Sequence, residues 1–468
     1  MYNFVFACCL SLLTSFSIAQ PCSPHITDLV VADDGDVEDG YGWSVAIDSV
    51  TAVVGSHRDN ARGTDSGSVY ILTFDGTQWD QTQKLVPNSI GSHDGFGDCV
   101  AIQGDMIVVG SPGDDDVATN SGAAYVFTNI AGAWTLTDKL IAPPVGAGDN
   151  YASSVGVDQD VIVLSASLTD TAGVNSGAVY VYRYTNNVWT YEAQLISDDI
   201  AQFDRFGIDV AVSGNRILVG ADSDDDNGSS SGSVYVFTHD GSQWNQSAKI
   251  SADDGAVDDQ FGERVDISND QIIVGARYDD DRGSRSGSAY IYEFSGSKWE
   301  LASKLTAFDG NSSEYFGQDV AIQSGRAIVG AWGQNDRFGF FNAGASYVYS
   351  RVNGAWAIEA KVIDQDREGG DFYGYSVDIS DDFALVGADG NDDFWWGPDA
   401  GSAYIIELDC QDPCLADLNN DGNLNFFDVS EFLKIFASQD LAADFNSDGD
   451  LNFFDVSAFL SIYSSGCS

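Results

Sequence analysis

Positive charge is scarce in this sequence. Its 468 residues include 20 lysines and arginines against 72 aspartates and glutamates, a formal net charge of −52. A surface this acidic repels nucleic acid and anionic lipid and attracts cations, so no nucleic-acid partner is expected. Methionine is also rare, with two residues, whereas there are 50 glycines. That balance is typical of a β protein with many turns, and the 44% share of hydrophobic residues excludes a disordered chain.

Residues 4–18 at the N-terminus are mostly apolar, and no long hydrophobic run follows them. That stretch is too short to span a bilayer comfortably. Ser17-Ile18-Ala19 places small residues where a signal peptidase would cut before Gln20. The sequence therefore predicts a signal peptide over residues 1–19, secretion of the mature chain to the exterior or the cell surface, and no transmembrane segment.

One pattern recurs seven times along the chain. Each copy starts with an aromatic residue and glycine, has valine three residues later, and continues into an apolar run that ends in Val-Gly in six copies. Successive copies are 55 residues apart except for one step of 57, and the first six end with a tryptophan strand. Four short alternating strands per repeat are typical of a propeller blade, so the predicted fold is all-β, a seven-bladed β-propeller over residues 20–409. The starting pairs, of which the third has alanine for glycine, are Tyr41-Gly42, Phe96-Gly97, Tyr151-Ala152, Phe206-Gly207, Phe261-Gly262, Phe316-Gly317 and Tyr373-Gly374.

The two ends of the repeat array complement each other. The seventh copy stops at Leu408 without a tryptophan strand, and residues 26–32 are similar to the end of such a strand. We therefore expect the N-terminal segment to supply the fourth strand of the last blade, which closes the ring and removes an open sheet edge. Cys22 and Cys410 flank these strands at one end. They are predicted to form a disulfide that stabilises the ring by about 2–4 kcal/mol.

These units resemble FG-GAP repeats, the blades of integrin-α-type propellers and of many secreted bacterial proteins. The Phe-Gly pairs and the Val-Gly-Ala triplets at 219–221, 274–276 and 329–331 carry the resemblance, which covers about residues 26–408. Integrin-type blades hold calcium in an Asp-x-Asp-x-Asp-Gly loop between their first two strands. Here that connection is a short turn such as Ser213-Gly214-Asn215, so this calcium site is not expected.

Connections in such a disc fall alternately on two faces. The second-to-third loops and the crossings between blades are the longer ones, and we call their side the long-loop face. Its aspartates are predicted either to bind calcium weakly or to be solvated residues of Asx turns. The densest groups are Asp114-Asp115-Asp116, Asp224-Asp225-Asp226 and Asp279-Asp280-Asp281.

The second-to-third loops of blades six and seven are two residues longer than the others, and both insertions are aromatic. Exposed aromatic side chains on adjacent loops form a stacking surface for sugar rings or a hot spot for a protein. Alternatively, they cover the crevice between the blades or pack on the tail. The candidate ligand-binding residues are Phe338, Phe340, Phe341, Phe394, Trp395 and Trp396.

Signs of catalysis are few. The chain has four histidines and contains no Gly-x-Ser-x-Gly elbow, zinc spacing or phosphate loop. His57, Arg58 and His93 fall on the long-loop face and are interpreted as surface loop residues. Cys99 is interpreted as a buried free thiol. The protein is therefore predicted not to be an enzyme.

A tandem calcium-loop pattern follows a linker at 410–416. Each copy has Asp or Asn at loop positions 1, 3, 5, 9 and 12, glycine at position 6, and a residue at position 7 that offers its backbone carbonyl. Alternating oxygen ligands wrap a calcium ion, and glycine permits the sharp turn. We expect a domain over residues 417–468 that binds two calcium ions, with helices over 429–436 and 456–463. The predicted ligands are Asp417, Asn419, Asp421, Asn423, Asn425, Asp428, Asp444, Asn446, Asp448, Asp450, Asn452 and Asp455.

This tandem of loop and helix, with aspartate at position 12, resembles a type I dockerin over about residues 414–468. The resemblance implies an α-helical calcium-binding domain that docks onto a cohesin-like module. Positions 10 and 11, commonly Ser-Thr in cellulosomal dockerins, are Phe426-Phe427 and Phe453-Phe454 here. These phenylalanines face a different partner or fill the small core. Cys414 and Cys467 bracket the domain and are predicted to pair, which helps a domain of this size.

The predicted function is that of a secreted adhesion or scaffold protein. Its long-loop face would bind an extracellular protein or polysaccharide, and its calcium-dependent tail would attach it to another component. The alternative is a polysaccharide-degrading lyase or hydrolase on a propeller scaffold, since dockerins often accompany such enzymes. A third possibility is an inert spacer. Two carboxylates or a His–Arg cluster converging in a deep pocket of the long-loop face would favour catalysis.

Overall fold

The computed structural model describes residues 24–141, 146–335, 341–364, 368–391, 400–408, 418, 426–438, 443, 445 and 452–465, without the side chains of 427, 454, 461, 462, 464 and 465. Pro24–Leu408 form one compact unit. It consists of seven four-stranded antiparallel sheets. Among the described residues no helix has the length and apolarity needed to cross a membrane.

The seven sheets are the seven predicted blades. Blades one to three contain β2 (Tyr41–Asp48), β3 (Thr51–Ser56), β4 (Ser68–Phe74), β5 (Trp79–Leu85), β6 (Cys99–Gln103), β7 (Met106–Ser111), β8 (Ala123–Ile130), β9 (Ala133–Leu140), β10 (Val155–Asp158), β11 (Val161–Ala166), β12 (Ala178–Thr185) and β13 (Val188–Leu195). Blades four to six contain β14 (Val210–Ser213), β15 (Arg216–Ala221), β16 (Ser233–His239), β17 (Trp244–Ile250), β18 (Arg264–Ser268), β19 (Gln271–Ala276), β20 (Ser288–Phe294), β21 (Trp299–Leu305), β22 (Val320–Gln323), β23 (Arg326–Ala331), β24 (Ala345–Val352) and β25 (Ala355–Val362). Blade seven contains β26 (Ser376–Ile379), β27 (Phe383–Ala388), β28 (Ser402–Glu407) and β1 (His25–Val30).

Ring closure by the N-terminal strand is confirmed. Strand β1 pairs antiparallel with β28, and the register places Leu29 opposite Tyr404 and Val30 opposite Ala403. The second and third strands of a blade are buried on both faces, so they contain continuous apolar runs. The fourth strand lies at the rim with one face in solvent, and its burial alternates.

The aromatic-Gly pair has a packing role. The ring of Phe96 is fully buried and meets Tyr125 of the same blade edge to face, with ring centroids 5.3 Å apart. The next residue, Gly97, has a φ of 94°, and a Cβ there would lie 2.6 Å from the carbonyl oxygen of Ser68 in the preceding blade. Glycine is favoured because the backbones of two blades approach closely at this point, although the third blade has Ala152 there with a φ of 62°.

The loops divide between two faces as predicted. Connections 49–50 and 75–78 are short, whereas 57–67 and 86–98 are long. The two long segments run beside each other, since Phe96 N donates to Ser66 O at 3.0 Å and His93 N donates to Thr64 O at 2.7 Å. These pairs place the second-to-third loop and the following crossing on one side of the disc.

The second unit contains two helices, α1 (Phe426–Ala437) and α2 (Phe453–Ser465). Phe432 and Phe459 are buried and stack face to face, with centroids 4.1 Å apart and planes 4° apart. The predicted helices over 429–436 and 456–463 were too short. In the structure each helix begins three residues earlier than predicted and so includes the last positions of the proposed calcium loop. The early start places an aspartate in the first turn, where it is favourable at the positive end of the helix dipole.

Candidate functional site

A central channel of about 570 Å³ lies between the first strands of the seven blades. Its lining runs from Trp43, Asp98 and Tyr375 on the long-loop side to Asp48 and Gln103 at the other end. The first strand of each blade thus forms the channel wall.

Side chains of the channel wall bind the backbone of the neighbouring blade. Ser44 Oγ donates to Gly97 O at 2.8 Å, and Ser376 Oγ donates to Gly42 O at 2.8 Å. The second of these bonds joins blade seven to blade one. The ring is therefore closed at its centre by side chains as well as at its rim by β1.

Aspartates at the same strand position act as acceptors. Val265 N donates to Asp209 Oδ2 and Val377 N to Asp319 Oδ2, both at 2.8 Å. Two residues further along the first strand, Asp266 and Asp378 do the same: Ile322 N donates to Asp266 Oδ2 and Ile47 N to Asp378 Oδ2, both at 2.7 Å. These carboxylates hold adjacent blades together.

The channel raises the pKa of its carboxyl groups. Burial, together with the charge of Asp266, raises the pKa of Asp378 to about 8. Burial likewise raises the pKa of Asp319 to about 7, although Arg264 opposes the shift, and that of Asp266 to about 6. Several channel carboxyl groups therefore exchange protons near neutral pH.

These shifts predict a loss of stability as the pH rises from about 4, the unfolded pKa, to about 8, the folded pKa of Asp378. The folded-state pKa values of Asp378 and Asp319 exceed the unfolded value of about 3.9, so the folded state binds more protons. This contribution is complete below the unfolded pKa and disappears as the pH passes the folded pKa. Chemical denaturation of Asp378→Asn across this range should give a shallower slope, with a limit of about 1.4 kcal/mol per pH unit for one group. An identical slope in the variant and the parent would contradict the assignment.

Lysine clusters occupy the aspartate-rich loops of the long-loop face. Lys304 Nζ lies 2.7 Å from Asp254, 2.9 Å from Asp279 and 2.6 Å from Asp281. Tyr290 completes the cluster by donating to Asp279 at 2.9 Å. Lysines with the same role are Lys84, Lys139, Lys249 and Lys361.

The aspartate triplets therefore have two structural roles. Their first and third members contact lysine, whereas the middle ones cap the loop: Asp280 Oδ1 accepts from Arg285 N at 2.6 Å, and Asp225 Oδ1 from Ser230 N at 2.8 Å. The ammonium group supplies the positive charge that calcium would bring. Weak calcium binding in these loops stays a prediction.

Aromatic rings gather on the long-loop face, where Trp43 and Tyr375 also line the channel. Tyr315 and Trp332 stack with centroids 4.6 Å and planes 3° apart, and Phe372 meets Trp332 edge to face at 5.3 Å. A second group joins Trp43 to Tyr375 at 4.8 Å and to His57 at 4.1 Å. All six rings are half-buried.

Arginine–carboxylate pairs lie beside these rings. Arg205 contacts Asp222 at 3.1 Å, and Arg277 contacts Glu263 at 2.6 Å. In each pair the guanidinium is the more exposed partner, with side-chain exposures of 36% against 0% and 24% against 9%. We define the mouth crescent as Arg205, Glu263, Arg277, Tyr315, Trp332 and Phe372. Sequence reasoning missed it because its members belong to four blades.

The structure describes only one of the six predicted ligand-binding aromatic residues. Phe341 is 73% exposed, as a binding residue requires. Phe338, Phe340, Phe394, Trp395 and Trp396 lie outside the described residues.

The histidines do not form one cluster of contacts. His93 is exposed and its Nδ1 lies 3.1 Å from Asp65, and Arg58 is exposed above the ring of Trp43. His57 is half-buried rather than a surface residue, because Trp43 covers it. Burial lowers the pKa of His57 to about 3, so its imidazole is neutral at physiological pH.

Comparison with known proteins gives a family. The model of the FG-GAP repeat matches residues 28–72, 79–127, 134–182, 189–237, 244–292, 299–349 and 356–406. The chain belongs to the FG-GAP repeat family. Each FG-GAP segment starts in or next to the fourth strand of one blade and ends in the third strand of the next. This offset between repeat and blade explains why the first segment begins in β1 and why β1 completes blade seven.

Other comparisons add little to the FG-GAP assignment. No curated protein matches the chain. Among solved structures, that of Sqt1 from Saccharomyces cerevisiae is similar at 11% identity, with a TM-score of 0.42 over 79% of this chain and 84% of that one.

Cys99 is a free cysteine in the channel wall of the second FG-GAP blade. Its Sγ lies 3.2 Å from Ala152 O, and burial raises the pKa of the thiol well above its usual value. It replaces the serine hydroxyl of other blades and is held as the neutral thiol. Both predicted disulfides, Cys22–Cys410 and Cys414–Cys467, lie outside the described residues.

Three of the twelve predicted calcium ligands are described. Asp428 and Asp455 are fully buried at the start of α1 and α2, and Asn452 N donates to Asp455 Oδ2 at 2.7 Å. Within the described part of the chain, no three His, Cys, Asp or Glu side chains converge as metal ligands do. The ligands outside that part are Asp417, Asn419, Asp421, Asn423, Asn425, Asp444, Asn446, Asp448 and Asp450.

Proposed function

We propose that this FG-GAP protein is a secreted, non-catalytic scaffold or adhesion protein. Its long-loop face binds an extracellular protein or polysaccharide, and its dockerin-like tail attaches it to a cohesin-like module. The mouth crescent carries the first part of this proposal, because it gathers half-exposed aromatic rings and guanidinium groups on a surface that is otherwise strongly acidic.

The channel carboxylates support binding rather than catalysis. Asp266 and Asp378 each accept hydrogen bonds from two backbone amides, one in their own strand and one in the next blade. A general acid or base needs a free path to its substrate. Groups held by amides between blades serve ring closure instead.

The tail supports attachment through calcium. Its two sequence copies give two helices whose phenylalanines stack at the centre, and each helix starts beside a buried aspartate at loop position 12. Two loops of this chemistry would bind two calcium ions, with calcium required for the fold of the tail.

Binding without turnover is the decisive test of the proposed function. Purified full-length protein would be incubated with soluble polysaccharides, and retardation in affinity electrophoresis would be compared with the release of reducing or unsaturated ends. Retardation or capture of a protein partner without product is expected. Products that accumulate in proportion to protein concentration would replace the scaffold proposal by the lyase or hydrolase alternative.

Calcium binding in the tail gives a separate prediction. Isothermal titration of the full-length protein should show two calcium ions, and Asp428→Ala or Asp455→Ala should each remove one, because a closing carboxylate is lost. Glu431→Ala, which changes a partly exposed carboxylate on α1, is the matched control and should keep both. Unchanged stoichiometry in both aspartate variants would contradict the predicted loops.

A further inference from the structure

One backbone position is strained in blades four to seven. The residue before the aromatic partner of each FG-GAP pair has a positive φ in all seven blades. Glycine and asparagine adopt this conformation readily, whereas bulky side chains rarely do. In order, the seven residues are Gly40 (66°), Gly95 (63°), Asn150 (50°), Arg205 (58°), Gln260 (56°), Tyr315 (55°) and Phe372 (57°).

Three of the four strained residues belong to the mouth crescent. Arg205 contacts Asp222, and the rings of Tyr315 and Phe372 both contact Trp332. Strain of this kind persists where the surrounding structure imposes it and is concentrated at ligand sites. Blades one to three avoid the strain with glycine or asparagine, so it is not a requirement of the blade.

Neighbouring glycines hold the two strained rings in place. A Cβ at Gly333 would lie 2.6 Å from Cδ2 of Tyr315, and one at Gly390 would lie 2.6 Å from Cδ2 of Phe372. Each ring therefore rests directly on backbone. This support fixes the ring orientation before any ligand arrives, which lowers the entropic cost of binding.

Polar groups are fixed beside the rings by a hydrogen-bond chain. Gln318 Oε1 accepts from Arg277 Nη1 at 2.8 Å and from Trp332 Nε1 at 3.0 Å. Arg277 also pairs with Glu263, whose Oε2 is buried and has no hydrogen-bond partner among the described residues. These hydrogen bonds and this ion pair thus link the ring of Trp332 to the guanidinium donors of Arg277 and to the unpaired carboxylate oxygen of Glu263.

On the opposite side, blades two and three have no aromatic residues at the equivalent positions. Where blade six has Tyr315 and Trp332, blade two has Gly95 and Pro112. Blade three has Asn150 and Ser167 at these positions. The asymmetry places a ligand over blades four to seven rather than over the channel axis.

We propose that the mouth crescent is a polysaccharide-binding site in which sugar rings pack on Tyr315, Trp332 and Phe372 while hydroxyl groups bond to the arginine pairs. The inference rests on the proposed function and names its ligand class. The rings are half-buried and bordered by arginine–carboxylate pairs, which suits a single chain of sugars better than a flat protein surface. Each guanidinium is neutralised by a buried carboxylate, which suits hydroxyl groups of an uncharged polysaccharide rather than carboxylates or sulfates.

The test uses the full-length protein with laminarin, xylan and glucomannan as uncharged probes and alginate as a charged one. Tyr315→Asn and Phe372→Gly copy the residues of blades three and two, so both should fold, which a thermal melt verifies. Binding of an uncharged probe should fall at least about tenfold in each variant and should change little between about 0.05 and 0.5 M NaCl. Tyr191→Ala, an exposed tyrosine on the rim strand β13, is the control and should bind as the parent does.

Several outcomes would overturn the inference. Binding that survives both crescent variants but is lost in Trp395→Ala or Trp396→Ala would move the site to the inserted loops and leave the proposed function intact. Preference for alginate with steep salt dependence, or capture of a protein partner without any polysaccharide binding, would also exclude an uncharged sugar site here. Absence of binding to both polysaccharide and protein in the parent protein would contradict the proposed function itself.

Discussion

Removal of residues 24–32 is expected to destroy the cooperative folding of the seventh blade. Strand β1 covers β28, and without it the buried side chains of Tyr404, Ile406 and Leu408 lose their cover. Such losses resemble several large core truncations, so we expect at least about 4 kcal/mol of destabilisation, or a Tm at least about 5 °C lower for a unit of this size. Differential scanning calorimetry of chains that begin at residue 24 or at residue 33 would measure it.

The exposed edge provides a second readout and a control. An uncovered β28 presents unpaired amides and carbonyls, which promotes association between chains. A synthetic peptide of residues 24–36, added to the chain that starts at residue 33, should raise its Tm and return it to the monomeric state. Chains starting at residue 24 and at residue 33 both lack Cys22, so their difference reports β1 and not the predicted Cys22–Cys410 disulfide, whereas a chain starting at residue 20 keeps that cysteine and should melt higher than either if the disulfide forms. A chain starting at residue 33 that melts like the parent would mean that β1 contributes little to closure.

Replacement of Lys304 by methionine should cost about 3–5 kcal/mol, because it leaves the buried carboxylate of Asp279 without its cation. The side chain of Asp279 is only 4% exposed, and its partners are Lys304, Tyr290 and the amide of Asp281, which donates to Oδ1 at 2.8 Å. Burial alone would raise the pKa of neighbouring Asp254, but the hydrogen bond and charge of Lys304 outweigh it and lower that pKa. Urea denaturation at neutral pH would measure the loss, and the same loss should shrink in acid, where protonated aspartates no longer need the lysine.

Blade three supplies the matched control for this cluster. It has Gln194 at the lysine position and Thr169 at the buried aspartate position, and Gln194 Nε2 donates to Tyr180 OH at 3.2 Å. The double variant Lys304→Gln/Asp279→Thr copies that uncharged arrangement and should recover most of the stability lost by Lys304→Met. Equal destabilisation in both variants would show that packing, not charge balance, dominates.

Several features of the fold could be predicted because they depend on local periodicity. Val45 and Val100 occupy equivalent places one repeat apart, and counting such places gives seven blades. The absence of a tryptophan strand after Leu408 and the strand-like residues 26–32 then identify the closing pair, since a sheet with an open edge is avoided.

The contacts of the aspartates could not be predicted in the same way. Sequence density suggested calcium or solvent for Asp279, yet its partner is Lys304, which lies on the next strand but one. Asp378 looked like one acidic residue among 72 acidic residues. Only the ring places it against Ile47 N, at the other end of the chain.

Blade count, the point of closure and the faces on which long and short loops lie follow from the sequence, because strand alternation and repeat length are local properties of the chain. Which charges neutralise one another and which rings meet on the long-loop face follows only from the packing of the blades. Tyr315 and Phe372 contact one indole although they come from consecutive blades. The contact between Trp332 and Phe372 joins two blades, and its geometry exists only once the blades are packed around a common axis.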